Sequence, residues 1–115
     1  MWIRSDWAYV PQLKEASSLS GGEQTLKAVK KAFSERAGIL FLDEPTANMD
    51  QENRQWLIHQ LRRYRGTVIV VSHDRYFLNQ VVNHIWLLAE QTITPYVGNY
   101  QAFEEVRKRE HEQQE

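Results

Sequence analysis

The chain has no cysteine among its 115 residues. Disulfides and thiolate metal sites are therefore excluded, a usage compatible with the cytosol. No apolar run approaches the ~20 residues that a membrane-spanning helix needs. The N-terminus carries no charged-then-apolar signal pattern, so the chain reads as soluble and cytoplasmic. Neither sign of charge dominates: 14 lysines and arginines face 15 acidic residues, for a net charge of −1. That balance gives no global argument for nucleic acid or for an acidic membrane. Internal repeats and low-complexity tracts are also missing. What remains is an ordinary apolar content, 42%, enough for a core. The length fits one small domain or a piece of a larger one.

The most informative stretch is Ile39-Leu40-Phe41-Leu42-Asp43-Glu44-Pro45. Four apolar residues run into two adjacent carboxylates, and a proline ends the run. The apolar part reads as a strand buried on both faces, as in a parallel sheet layered by helices. The acids then lie at the strand's C-terminal end, where open α/β sheets bind ligands. Neighbouring carboxylates there repel each other unless a cation, proton or hydrogen bond compensates them. In a strand they point opposite ways, so one can serve a metal while the other faces water. A buried strand ending in solvated acids at a turn is the equal alternative.

Upstream, residues 1–10 alternate loosely (Trp2, Ile3, Trp7, Tyr9, Val10) and form a strand or its ragged end. Pro11 breaks the pattern, and Gln12 begins a polar connection. Leu19-Ser20-Gly21-Gly22-Glu23-Gln24 opens a helix. Ser20 and Glu23 have capping-box spacing, and the two glycines leave the first turn bare for an anion to reach its N–H groups. A well-capped helix with flexible glycines explains the same residues. Leu26, Val29 and Phe33 continue one face, Lys27, Lys30 and Lys31 read as a solvated one, and Gly38 is the expected C-cap.

After the acids, Asp50 can cap a helix over 51–64, with Leu57, Ile58, Leu61 and Tyr64 at helical spacing. Arg62, Arg63 and Arg65 cluster at its C-terminal end, where the helix dipole favours cations. Contact with nucleic acid is the minor reading of that cluster. Gly66 resets the chain, and Thr67-Val68-Ile69-Val70-Val71 is a second apolar, β-branched run. It ends in Ser72-His73-Asp74, so polar groups again sit at a strand's C-terminal end. Asp74 can cap a short helix over 75–82. Strands follow over 84–89 and 92–94, joined by a tight turn at Glu90-Gln91. Gly98-Asn99 turns the chain again, and a helix anchored by Phe103 and Val106 starts at Tyr100. Beyond Arg107 it is almost wholly charged or amide-bearing, and such a tail cannot bury a face alone.

Together these motifs resemble the C-terminal half of an ABC-type ATPase domain. Leu19-Ser20-Gly21-Gly22-Glu23 is similar to the ABC signature, 39–44 to Walker B, and Pro45-Thr46-Ala47-Asn48-Met49-Asp50 to the D-loop. His73 falls where the H-loop histidine belongs. Ser72-His73-Asp74-Arg75-Tyr76-Phe77-Leu78 and Tyr96-Val97-Gly98-Asn99-Tyr100 narrow the resemblance to the ABC-F subgroup, soluble ATPases that act on the ribosome. The short connection from Pro11-Gln12-Leu13-Lys14 to the signature resembles the antibiotic-resistance branch, which includes Vga-type proteins.

The resemblance implies roles at the matching positions. Asp43 would hold Mg²⁺ through water, Glu44 would polarise the attacking water, and His73 would contact the γ-phosphate of ATP. Ser20, Gly21 and Gly22 would bind the γ-phosphate of a nucleotide held mainly by a second ABC ATPase domain of the same parent. Asp50 would communicate across that interface, and Gln12 would be the Q-loop glutamine. Two departures stand out. Ala47-Asn48-Met49 replaces the Asn-His-Leu common in the subgroup's D-loop. No Gly-x-x-x-x-Gly-Lys-Ser/Thr occurs, although that loop holds the phosphates in such enzymes.

The expected fold is α/β: a partial P-loop NTPase of the ABC ATPase type, a mostly parallel sheet with flanking helices lacking the Walker A strand, loop and helix. Residues 1–99 would form the partial first ATPase domain and 100–115 the start of an inter-domain linker helix. The Ile39 and Val68 strands would then be partly uncovered. The expected function is that of a fragment of an ATP-hydrolysing ABC-F protein on the ribosome, inactive by itself, without direct membrane insertion. A transporter ATPase subunit and a truncated, non-catalytic interaction module are the alternatives.

Overall fold

The structure, a computed structural model, describes residues 2–3, 6–12 and 21–113. The chain divides into two compact units, Met1–Asp74 and Arg75–Glu115. The first unit contains β1 (Trp2–Ile3), β2 (Trp7–Val10), α1 (Gly21–Ser34), β3 (Ile39–Asp43), α2 (Gln51–Arg62) and β4 (Thr67–Val71). The sheet order is β1-β2-β3-β4. β1 is antiparallel to β2, whereas β2, β3 and β4 are parallel, with Val10 beside Leu42 and Leu42 beside Val70. Each parallel step is made through a helix, as parallel neighbours require. The α/β fold with a mostly parallel sheet and flanking helices is thus the one expected.

Period-two alternation decides which strand residues enter the core. Ala8, Val10, Leu40 and Leu42 are buried and share one face, together with Val29 and Ala32 of α1 and Leu57 and Leu61 of α2 among the buried residues. The helices meet through Phe33, whose ring centroid lies 5.9 Å from Trp56 and 5.6 Å from Tyr64. They form one layer. The other face is only partly covered: Ile39 is 40% exposed and Val71 58%. Burial of β3 on both faces, expected from its continuous apolar run, is therefore met on one face only, because one helical layer covers one side of a sheet. The partial uncovering expected of these strands is present.

Helix ends depart from expectation in detail. α1 closes at Ser34, and Arg36, not Gly38, takes the left-handed position, at φ 53°. Gly38 instead serves the sheet, its carbonyl accepting the Thr67 N–H at 2.8 Å. Gly66 is demanded by close approach. A Cβ there would fall 2.6 Å from the Gly38 carbonyl oxygen and 2.8 Å from the Tyr64 ring. α2 is capped as expected, with Asp50 Oδ1 accepting the Asn53 N–H at 2.8 Å.

The second unit holds α3 (Arg75–Val81), β5 (His84–Ala89), β6 (Thr92–Val97) and α4 (Tyr100–Gln113). β5 and β6 form an antiparallel hairpin whose turn residues Glu90 and Gln91 both have positive φ, 51° and 62°. That is the primed turn a two-residue hairpin favours. β6 runs past the expected Thr94 to Val97, because Pro95 can sit on an edge strand where alternate N–H groups face away from the partner. Asn99 opens α4, its Oδ1 accepting the Ala102 N–H at 3.0 Å. Phe103 then packs edge-on against Tyr96 at 5.0 Å. Asn79 ties α3 to α4 by accepting the Gln101 N–H at 3.0 Å.

Candidate functional site

Because β2, β3 and β4 are parallel, the segments leaving them emerge at one edge of the sheet. Gln12 follows β2, Asp43 and Glu44 close β3, and His73 follows β4. Asp43 ends the strand, and its Oδ2 accepts the Tyr9 hydroxyl at 3.3 Å. The register explains the contact: Tyr9 sits opposite Phe41, two residues before Asp43 on the same face. The Tyr9 phenol is pushed above its ordinary pKa of 10.0, first by burial and then by the Asp43 charge and hydrogen bond.

Glu44 is no longer strand. Its φ of 47° turns the chain, and its N–H donates to the Val71 carbonyl at 2.7 Å. The turn directs its carboxylate at His73. Glu44 Oε1 lies 2.6 Å from His73 Nδ1, and the His73 N–H donates to Oε2 at 3.3 Å. A hydrogen must lie between Nδ1 and Oε1, since two lone pairs would repel at that distance. The side chains differ sharply in exposure: 95% for His73 and 19% for Glu44. The imidazole is thus held by one ring nitrogen while the rest of the ring faces outward.

The turn after Glu44 is itself pinned. Pro45 and Thr46 are buried, and the Thr46 hydroxyl donates to Asp74 Oδ2 at 3.0 Å. Arg54 of α2 stands 4.0 Å from the same oxygen. Asp74 also receives order from its own loop, its N–H donating to Ser72 Oγ at 3.0 Å. The first turn of α1 reaches this turn as well. A Cβ on Gly22 would lie 2.2 Å from the Asn48 carbonyl oxygen, so only glycine allows the approach.

Of the expected site residues, the structure joins Glu44 and His73 directly, and Asp43 precedes Glu44 in the chain and sits opposite Val71 of β4. Gly22 is brought against the segment ending in Asp50, but it is buried there. Gly21 opens α1. Gln12 is exposed at the same edge, without a hydrogen bond to the acids among the described residues. Ser20 lies outside the described residues, and with it the expected capping box. Sequence reading missed Tyr9, Thr46 and Arg54, whose contacts depend on strand register and on a turn meeting a distant loop.

The donor set fits Mg²⁺ modestly. Among the described residues no group of three or more acidic or imidazole side chains could hold a metal. Mg²⁺, however, commonly keeps several waters and takes one or two carboxylates plus phosphate oxygens. Asp43, half-buried and held by one phenol, can supply one such ligand.

No family model matches the chain. It is 46% identical over 101 residues to the ribosome protection protein VmlR of Bacillus subtilis (strain 168), covering 88% of this chain and 18% of that protein. It is 40% identical over 93 residues to the energy-dependent translational throttle protein EttA of Mycobacterium tuberculosis (strain ATCC 25618 / H37Rv), covering 81% of this chain and 17% of that protein. Identity to the ABC transporter F family member 2 of Arabidopsis thaliana is 39% over 90 residues, covering 78% of this chain and 13% of that protein. The chain thus spans less than a fifth of the length of these relatives. Among solved structures, an inward-facing metal-chelate type ABC transporter aligns with TM-score 0.56 and 25% identity, over 73% of this chain and 34% of that one. Among the described residues no helix is long and apolar enough to cross a membrane. The chain is homologous to part of the ABC-F type ATP-binding proteins, and its fold is a partial P-loop NTPase fold of the ABC ATPase type.

Proposed function

We propose that these residues form the C-terminal part of the first ATPase domain of an ABC-F protein that hydrolyses ATP on the ribosome in the cytoplasm. The observation that carries the reading is the 2.6 Å contact of Glu44 with His73 at the sheet edge where Asp43 ends. In this reading Glu44 accepts a hydrogen bond from the attacking water, and His73 orients the pair toward the γ-phosphate. Asp43 is the Mg²⁺ ligand, and the metal, when bound, neutralises charge on the phosphate oxygens. Catalysis by such groups is mostly positioning and electrostatics.

In this proposal Ser20 and Gly21 face a nucleotide held by a second ATPase domain, and Gly22, buried against Asn48, backs them. The packing of Gly22 on Asn48 supports a link from that nucleotide to Asp50 at the domain interface. Gln12 supplies the Q-loop amide, and α4 begins the linker between domains. The ribosomal assignment draws on relatives whose names state ribosome protection and translational throttling. The antibiotic-resistance branch with Vga-type proteins remains the narrower form of the proposal.

The test replaces the matching segment of VmlR by this chain. The chimera is expected to hydrolyse Mg·ATP, and Glu44→Gln to lower turnover by about 100-fold or more while ribosome co-sedimentation with ATP persists. The isolated chain, with no Gly-x-x-x-x-Gly-Lys-Ser/Thr, is expected to show no turnover. Equal hydrolysis by the chimera and its Glu44→Gln variant would sink the assignment of Glu44.

A further inference from the structure

A cavity of about 510 Å³ opens among Phe33, Arg36, Ala37, Gln60, Arg63, Tyr64, Arg65 and Gly66. Its residues lie where α1 and α2 end and before β3 and β4 begin, at the opposite end of those strands from Asp43 and His73. Three guanidiniums border it, all exposed. None of the three has an ion-pair partner among the described residues. No carboxylate lines it. Its aromatic wall is built: Phe33 packs on Tyr64 and Trp56, and Lys30 Nζ stands 5.3 Å from the Trp56 ring. The Tyr64 hydroxyl donates to the Ala37 carbonyl, fixing that ring across the two helix ends.

Helix dipoles explain why cations are welcome here, but they do not cancel them. Two helix C-termini contribute roughly one negative charge together, against three guanidiniums and a nearby ammonium. The lining itself therefore carries a net positive charge although the whole chain is nearly neutral. Arg36 moreover keeps a left-handed backbone, φ 53°, at a position where glycine is the usual choice. Guanidiniums fork onto phosphates and stack on bases, and aromatic rings add further base platforms. An acidic peptide would use the charges and leave the rings idle.

We propose that this cavity binds a single-stranded segment of nucleic acid, with Arg36, Arg63 and Arg65 on its phosphates and a base against Phe33 and Tyr64. The site is separate from the ATPase residues, and the proposal does not depend on their roles. The test measures anisotropy of fluorescein-labelled single strands of about 12 nucleotides, RNA and DNA of one sequence, titrated with the 115-residue chain at several salt concentrations. An Asp/Glu peptide of equal charge is the comparison. At least one strand is expected to bind about tenfold tighter than the peptide, and the stronger strand identifies the natural source. Each of Arg36→Gln, Arg63→Gln and Arg65→Gln is expected to weaken binding and flatten the logarithmic salt slope by about 0.7. Lys27→Gln, an exposed charge on α1 that does not line the cavity, is expected to change binding less than about twofold, as a charge outside the site should. Circular dichroism and melting of these exposed variants check that folding is unchanged. The proposal is overturned if neither strand outbinds the peptide, or if Lys27→Gln weakens binding as much as Arg63→Gln.

Discussion

Glu44 leaves β3 in a left-handed backbone conformation, which costs a residue with a side chain about 1–3 kcal/mol. The structure compensates by the Glu44 N–H bond to Val71 and by both His73 contacts. With the Glu44 N–H bonded to Val71 of β4, that turn sets the Glu44 carboxylate against His73 and so joins the two motifs. Tyr9 offers a separable test at the same scale. Its pKa is raised by burial and by Asp43, and that of Tyr64 by burial. Between the ordinary pKa and the raised one, the folded chain retains protons that the unfolded chain releases. Stability present at neutral pH is therefore lost as pH rises through that window. Melting from about pH 9 to about pH 12 is expected to show this decline. Tyr9→Phe and Tyr64→Phe should each flatten it, with lysine titration common to all three proteins. An unchanged slope in both variants would contradict the attribution.

At the scale of elements, α1 and α2 are held at their starts by different means. α2 depends on a cap, and Asp50→Ala is expected to cost about 1 kcal/mol in urea unfolding. α1 depends on an absent side chain, because the Asn48 carbonyl occupies the space of a Gly22 Cβ. Gly22→Ala forces the backbone of one segment to move and is expected to cost about 1–3 kcal/mol, as overpacking does. If Gly22→Ala proved neutral while Asp50→Ala did not, the contact between α1 and the turn would be absent in solution. The turn's other anchor, Thr46 on Asp74, gains from Arg54 nearby. A helix start, a turn and the loop after β4 are thus tied around the acids.

At the scale of the whole molecule, apolar surface remains open. Trp86, Leu88, Ile93 and Val97 are 57–80% exposed. Pairing of Trp86 with Pro95 and Leu88 with Ile93 places them on one face of the hairpin. Contiguous apolar faces of this kind mark interaction or aggregation surfaces. The isolated chain is expected to self-associate with rising concentration in sedimentation velocity. Leu88→Lys with Ile93→Glu sets opposite charges across the hairpin, so it should keep the hairpin and reduce association. Identical concentration dependence in the double variant would exclude this face.

Much of the architecture was legible because its signals are local. Two apolar runs made β3 and β4, helical spacing made α1 and α2, and Asp50 capped α2 as its position predicted. Polar residues at both strand ends already placed Asp43, Glu44 and His73 at one edge, since parallel strands share their direction. Other features depend on register and packing between distant segments, which periodicity does not encode. The Tyr9–Asp43 bond needs the offset of β2 on β3. The left-handed turn at Glu44 arises where the chain meets Val71, and the fit of Gly22 exists only once Asn48 arrives. Arg63 and Arg65 gained their cavity the same way: the sequence showed them at a helix end, and folding brought Arg36, Phe33 and Tyr64 to line it with them.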